Sequence, residues 1–153
     1  MRYVYGGGLP EEDFVLEHAM DIIDAANYFG VVGIKLEAEA MFVASRSITA
    51  ENVVEYILFA DAKECALLKE YAVSVFTARL KDVMNSESFL ELAKSPQLMR
   101  ELMMPVVDCG TPPINGDDLG MMPVITLRRR LEEKGLDIDG TKEMLISRLE
   151  SAD

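Results

Sequence analysis

The stretch MPVITLRRRLEEKGLDIDGTKEMLISRLE, residues 122–150, carries the most informative pattern in this 153-residue chain. Val124, Leu127 and Leu131 recur at i, i+3 and i+7, which predicts an amphipathic helix with one apolar face. Gly135 is placed to end that helix in a left-handed conformation, because glycine adopts a positive φ without steric cost. These residues therefore predict a short helix that stops at a tight turn.

A second short helix is predicted to follow the turn. Thr141 can cap its start, since a threonine hydroxyl accepts a hydrogen bond from a free backbone N–H of the first helical turn. Leu145 and Leu149 then share one face of this helix at i, i+4. The two helices together predict a small helix–turn–helix unit with a common apolar core.

The order and spacing of these residues resemble the SAP domain, a helix–turn–helix module of chromatin proteins that binds nucleic acid. The resemblance implies that residues 122–153 form such a domain and meet phosphate at the basic first helix and at the start of the second, where free N–H groups attract anions. The residues expected to bind nucleic acid are Arg128, Arg129, Lys134, Gly140, Thr141, Lys142 and Arg148. The alternative interpretation is that the arginine run is only a solvated helix face.

The charge of the chain is unevenly distributed. Its formal net charge is −12; residues 121–153 contain six Lys or Arg against seven Asp or Glu, and residues 1–120 contain nine against twenty. An acidic body repels phosphate, and the terminal unit offers few cations. We therefore expect binding of DNA or RNA to be weak and salt-sensitive. The resemblance to a module of chromatin proteins implies that the chain is nuclear or nucleo-cytoplasmic.

Residues 1–104 form a separate region, which has the apolar spacing of helices from about residue 11 onward and a strand signal only at residues 3–5. When this region is compared with itself at an offset of 34 residues, identical pairs appear. They are Ile23/Ile57, Ala26/Ala60, Lys35/Lys69, Ala38/Ala72, Phe42/Phe76 and Ala44/Ala78. This repeat predicts two helical hairpins of like construction, stacked on one core in an all-α fold.

The same region resembles the second half of a BTB/POZ domain followed by its helical, BACK-like extension. The resemblance is carried by YVYG at residues 3–6, by the pattern IxAAxxFxxxGIKxxxE at residues 23–39, and by residues 52–76. It implies a body that binds a protein partner, a cullin scaffold of a ubiquitin ligase in that family. The first half of the family's domain, which forms much of its homodimer interface, has no counterpart here, so the resemblance does not support a homodimer. A truncated gene model, in which Met1 is not the true start, is one explanation.

Residues 105–121 separate the two regions and are rich in turn-forming residues, with TPP at 111–113, NG at 115–116 and Gly120. Prolines favour extended conformations, so this composition predicts a linker that holds the terminal unit away from the body. Docking of the terminal unit onto the body is the competing arrangement, since methionines at both ends of the linker can supply adaptable apolar contact.

The sequence offers no catalytic motif and no metal-ligand spacing. Cys65 and Cys109 form no metal pattern or disulfide framework, and the single histidine, His18, has no neighbouring ligand pattern. No apolar run is long enough to cross a membrane. We therefore expect a non-enzymatic protein without a cofactor, metal site or membrane partner.

Two functions remain open from the sequence. In the first, the chain is an adaptor whose body recruits a protein partner while the SAP-like unit contacts nucleic acid or chromatin, as a cullin-ligase substrate adaptor would. In the second, it is a nucleic-acid-binding scaffold with no link to ubiquitin ligases.

Overall fold

The computed structural model describes residues 12–107 and 119–152, and the regular structure of these residues is helical apart from one isolated β-bridge. The helices are α1 (Glu12–Glu17), α2 (Ala19–Tyr28), α3 (Val32–Ser45), α4 (Val53–Ala62), α5 (Ala66–Ala78), α6 (Leu80–Met84), α7 (Phe89–Leu92), α8 (Pro96–Val107), α9 (Val124–Glu133) and α10 (Lys142–Ser151). A 3₁₀ turn, Leu119–Met121, precedes α9. This confirms the predicted all-α fold. The predicted strand at residues 3–5 lies outside the described residues.

The 34-residue repeat corresponds to two structurally equivalent hairpins, α2–α3 and α4–α5. In the first turn the N–H of Val31 donates to the carbonyl of Ala26 at 2.9 Å, and in the second the N–H of Cys65 donates to that of Ala60 at 2.8 Å. The residue before each donor has a positive φ, of 67° and 56°. Both turns therefore close in the same way, 34 residues apart, as the repeat predicts.

In the body, residues 12–107, the two helices of each hairpin pack against each other, α2 against α3 and α4 against α5. The two hairpins are joined by the packing of α3 against α5. Ala38 and Ala72 occupy equivalent buried positions and allow the two helices to approach closely. Phe42 and Phe76, one turn further on, are buried in the same core. The repeated apolar residues up to Phe42 and Phe76 thus face inward, because each hairpin buries the same stripe, whereas the last pair, Ala44 and Ala78, is exposed.

The C-terminal module, residues 119–152, contains α9 and α10 joined by a turn. Gly135 ends α9 with φ +67°, and the N–H of Leu136 donates to the carbonyl of Leu131 at 2.8 Å, which returns the chain toward the core. The hydroxyl of Thr141 accepts from the N–H of Met144 at 3.4 Å and caps α10. The module's buried core residues are Met122, Val124, Leu127, Leu131, Leu145 and Leu149. The predicted helix–turn–helix unit is confirmed.

The C-terminal module packs directly against the start of α5. Ala66, the first residue of α5, is buried in the same apolar cluster as the module's leucines. Cys65, immediately before it, forms the isolated parallel β-bridge with Gly140. The structure therefore has the docked arrangement, and not the one in which a linker holds the module away. Helix α8 extends to Val107, three residues into the segment predicted as a linker, and residues 108–118 lie outside the described residues.

Candidate nucleic-acid interface

Arg128, in the middle of the basic run of α9, points into the contact between the module and the body. Its side chain is 11% exposed, and its Nη2 lies 2.8 Å from Oε2 of Glu39 on α3. Its Nε donates to the carbonyl of Ile138 at 3.2 Å, in the turn before α10. Arg128 therefore ties α9 both to the body and to its own turn.

Glu39 is the body residue that receives this arginine. It is fully buried, and its second carboxylate oxygen, Oε1, accepts from the N–H of Leu68 at 2.8 Å. Leu68 is the third residue of α5, where backbone N–H groups have no acceptor within their own helix. The buried carboxylate of Glu39 on α3 thus accepts a hydrogen bond from the free N–H of Leu68 in α5 and pairs with the guanidinium of Arg128 on α9.

Lys35 lies one helical turn before Glu39 on α3 and contacts the loop that joins α9 to α10 in the module. Its side chain is 1% exposed, and its Nζ lies 2.9 Å from Oδ1 of Asp139. The approach is not aligned as a hydrogen bond, and neither atom has another hydrogen-bond partner among the described residues. The buried ammonium therefore depends on one carboxylate of the module for its compensating charge.

Glu70 forms the third polar contact between body and module. Its Oε2 accepts from the N–H of Val124, the first residue of α9, at 2.8 Å, and its Oε1 lies 3.9 Å from Nζ of Lys142. A carboxylate is favoured at a helix N-terminus because it meets free N–H groups and the positive end of the helix dipole. The carboxylate of Glu70 in the body therefore binds the N-terminus of α9, where an anion such as phosphate would otherwise be favoured.

The start of α10, expected to attract phosphate, faces the body as well. Gly140 is buried at the β-bridge with φ +114°, and a Cβ there would lie 3.0 Å from the sulfur of Met144. Lys142 is only partly exposed, beside Glu70. Neither position presents an open surface in the docked arrangement.

Arg148 stabilises the turn between the two helices. Its Nη1 donates to the carbonyl of Asp137 at 3.3 Å and to the carbonyl of Asp139, and its Nη2 lies 3.2 Å from the carboxylate of Asp137. The side chain is therefore engaged in positioning the turn that carries the partner of Lys35.

The cations on the side of α9 that faces away from the body are exposed to solvent. The side chain of Arg129 is 71% exposed and lies 4.0 Å from the carboxylate of Glu133, one turn along the helix. Lys134, at the end of α9, is also exposed. Among the predicted contact residues in the described chain, these two present their side chains most openly to solvent.

An acidic cavity lies between α5, α8 and the start of α10. Its charged lining residues are Lys69, Glu70, Glu101, Lys142 and Glu143. Burial lowers the pKa of Lys69, but its hydrogen bonds to Asp61 and Glu101 outweigh that effect, so the pKa is raised and the ammonium stays charged. Three carboxylates against two ammonium groups make this cavity unfavourable for phosphate.

Cys65 lies beneath the module, next to the buried charges. Burial raises the pKa of its thiol to about 12, with a further increase from the neighbouring carboxylate of Glu39. The thiol is therefore protonated and unreactive while the module is docked.

Lys35, Glu39 and Glu70 were not among the residues predicted from the sequence to shape the site. A signal for two of them is present in the sequence: Lys35 and Glu39 are charged residues flanking Ala38, within the stripe that continues to Phe42. Charges on an apolar stripe indicate a buried partner. The sequence could not identify that partner, since Arg128 lies 89 residues away from Glu39.

Among the described residues, no group of three His, Cys, Asp or Glu is arranged to hold a metal ion, and no helix there is long and apolar enough to span a bilayer. A comparison with curated proteins finds no match. Residues 118–153 match the family model described as the SAP domain, in agreement with the helix–turn–helix geometry of α9 and α10. The C-terminal module of this chain is a SAP domain.

Proposed function

We propose that this chain is a non-enzymatic adaptor that contacts nucleic acid through its SAP domain and a protein partner through its helical body. The observation that carries the nucleic-acid half is the SAP family match at residues 118–153. The protein half rests on the stacked hairpins and their resemblance to the second half of a BTB/POZ domain with its BACK-like extension. On this proposal the chain acts in the nucleus or in both nucleus and cytoplasm.

The accessible cations of α9 are the first candidates for contact with phosphate. Arg129 and Lys134 present exposed side chains at the outward face and the end of the helix. Two cations on a small module, attached to a body of opposite sign, supply only a few phosphate contacts. Binding of DNA or RNA is therefore weak, steep in its salt dependence and largely independent of sequence.

Replacing both accessible cations, Arg129→Gln with Lys134→Gln, is expected to weaken binding to a short DNA duplex or RNA hairpin severalfold and to reduce the salt slope by about two. Fluorescence anisotropy from about 50 mM salt upward measures both quantities. The matched control is Lys94→Gln, which removes an exposed lysine of the body that pairs with Glu91. Equal affinities of the double variant and the control would exclude this face of α9 as the contact.

The body carries an exposed aromatic pair suited to a protein partner. Tyr28 and Phe29, at the end of α2, are 84% and 73% exposed, and their rings meet edge to face with centroids 5.1 Å apart. Aromatic side chains are enriched in protein interfaces because they bury large apolar area with little loss of conformational entropy. On the BTB resemblance, the partner we propose is a cullin scaffold of a ubiquitin ligase.

A pull-down of purified cullin scaffold by the full chain tests the protein half. Binding is expected, and Tyr28→Ser with Phe29→Ser is expected to reduce the retained cullin at least about tenfold, as loss of two central aromatic contacts does in other interfaces. Leu90→Ser, which removes another exposed apolar side chain of the body, is the control. No retention of cullin, with nucleic-acid binding intact, would favour the alternative of a nucleic-acid-binding scaffold without a ligase partner.

A further inference from the structure

The body covers one face of the SAP domain, and three of the residues expected to meet phosphate lie on that face. Arg128 is bound to Glu39, Gly140 is buried against Cys65, and Lys142 lies beside Glu70. Arg129 and Lys134 are on the part of the module left open.

We propose that the body and nucleic acid compete for this one face of the SAP domain, so that docking restrains nucleic-acid binding and release of the module strengthens it. The inference rests on the proposed nucleic-acid binding and adds its regulation.

Steric exclusion supports the competition at Arg128. Its guanidinium is 11% exposed and already pairs with a fully buried carboxylate, so a phosphate could reach it only after α9 leaves α3. At Gly140 the backbone itself pairs with the residue before α5. A nucleic acid bound at these two positions would occupy the space that the body fills.

Electrostatics act in the same direction at the start of α10. The cavity in front of Lys142 is lined by the carboxylates of Glu70, Glu101 and Glu143. These anions neutralise the lysine and the helix N-terminus and repel phosphate across a few ångströms, where salt screens poorly. Release of the module separates Lys142 from Glu70 and Glu101 of the body and leaves its ammonium group available to bind phosphate.

The contact is built so that it can open. A buried ion pair gains Coulomb energy but loses the hydration of both ions, so its net contribution is small compared with the cost of removing one partner. Lys35 and Glu39 both regain water when the module leaves, as do Arg128 and Asp139. The two ion pairs, Lys35 with Asp139 and Arg128 with Glu39, therefore fix how the module sits on the body but do not prevent its release.

The test uses the full chain and its affinity for the same DNA duplex and RNA hairpin. Asp139→Asn removes the counter-charge of Lys35 and is expected to raise affinity at least about tenfold, because the binding-competent fraction increases. Glu150→Gln, with the same change of charge at an exposed position of α10, is the control and is expected to change affinity less than about twofold. Adding Lys35→Met to Asp139→Asn removes the buried ammonium and is expected to return affinity to the wild-type value.

Glu70→Gln provides a second, milder variant that keeps an oxygen to accept the N–H of Val124 and removes the charge beside Lys142. It is expected to raise affinity severalfold, with circular dichroism and thermal unfolding unchanged. If the wild type binds and none of these variants alters its affinity beyond the control, the competition is excluded and the binding function stands. If no form binds at about 50 mM salt, the proposed nucleic-acid function fails and the competition with it.

Discussion

In the Asp139→Asn variant, Cys65 is expected to react with a thiol-labelling reagent at least about a hundredfold faster than in the unaltered chain. The side chain of Asp139 is the compensating charge for Lys35, whose ammonium is 1% exposed in the docked module. Removing one member of a buried ion pair costs about 3–5 kcal/mol, and the lower end applies here because Asp139 retains some exposure. That cost falls on the docked state alone, since Lys35 is solvated once the module leaves.

Cys65 reports this release because it lies under the module. Its thiol pKa is about 12 when docked, and it moves toward the ordinary value of 9.0 as burial and the neighbouring carboxylate of Glu39 are lost. The measurement uses a Cys109→Ser background, so that Cys65 is the one thiol of the chain, and follows labelling by mass spectrometry. Glu150→Gln, which makes the same change of charge at an exposed position of α10, is the matched control and is expected to leave the labelling rate close to that of the parent.

The pH dependence of labelling gives an independent check. A thiol with a raised pKa in the docked state holds its proton more tightly than in the released state, so rising pH between about 9 and 12 favours release. In the parent chain the labelling rate should keep increasing beyond pH 9, whereas in Asp139→Asn it should level off near that pH. Equal, slow labelling of the parent and Asp139→Asn across this range would show that the Lys35–Asp139 pair does not hold the module.

The helices of this chain were predictable from local spacing, and the docking was not. The apolar positions of α9 and α10, and the left-handed Gly135 between them, are set by neighbours within a few residues. The 34-residue repeat likewise predicted two hairpins, since equivalent residues such as Phe42 and Phe76 serve the same core. These features depend on short-range periodicity, which a single sequence contains.

The candidate site was harder to predict because the exposure of its residues depends on contacts with residues far away in the sequence. The residue types expected at a phosphate site are present, but Arg128 is bound to Glu39, 89 residues away, and Gly140 pairs with Cys65 in the turn between α4 and α5 of the body. A basic residue on a helix has the same local sequence signature whether it faces solvent or a buried carboxylate. The roles of Arg128, Arg129, Lys134, Gly140, Thr141, Lys142 and Arg148 in nucleic-acid binding therefore stay predictions.

Replacing Glu39 by alanine is expected to lower the free energy of unfolding by about 3–5 kcal/mol. Two buried groups lose their partner at once: the N–H of Leu68 at the start of α5 and the guanidinium of Arg128. An unsatisfied buried N–H costs about 1–3 kcal/mol by itself, and the unpaired arginine accounts for the rest. Urea denaturation followed by circular dichroism measures the loss.

The amide variant Glu39→Gln separates the two contributions. Its side-chain oxygen can still accept from Leu68, so α5 keeps its start, while the charge that holds Arg128 is removed. Glu39→Gln should therefore release the module and speed Cys65 labelling while retaining the part of the stability that the hydrogen bond to the N–H of Leu68 provides. Glu37→Ala, exposed on the same helix, is the control for any general effect of the substitution on α3. A loss in Glu39→Ala no larger than in Glu37→Ala would mean that this buried carboxylate joins α3, α5 and α9 without stabilising them.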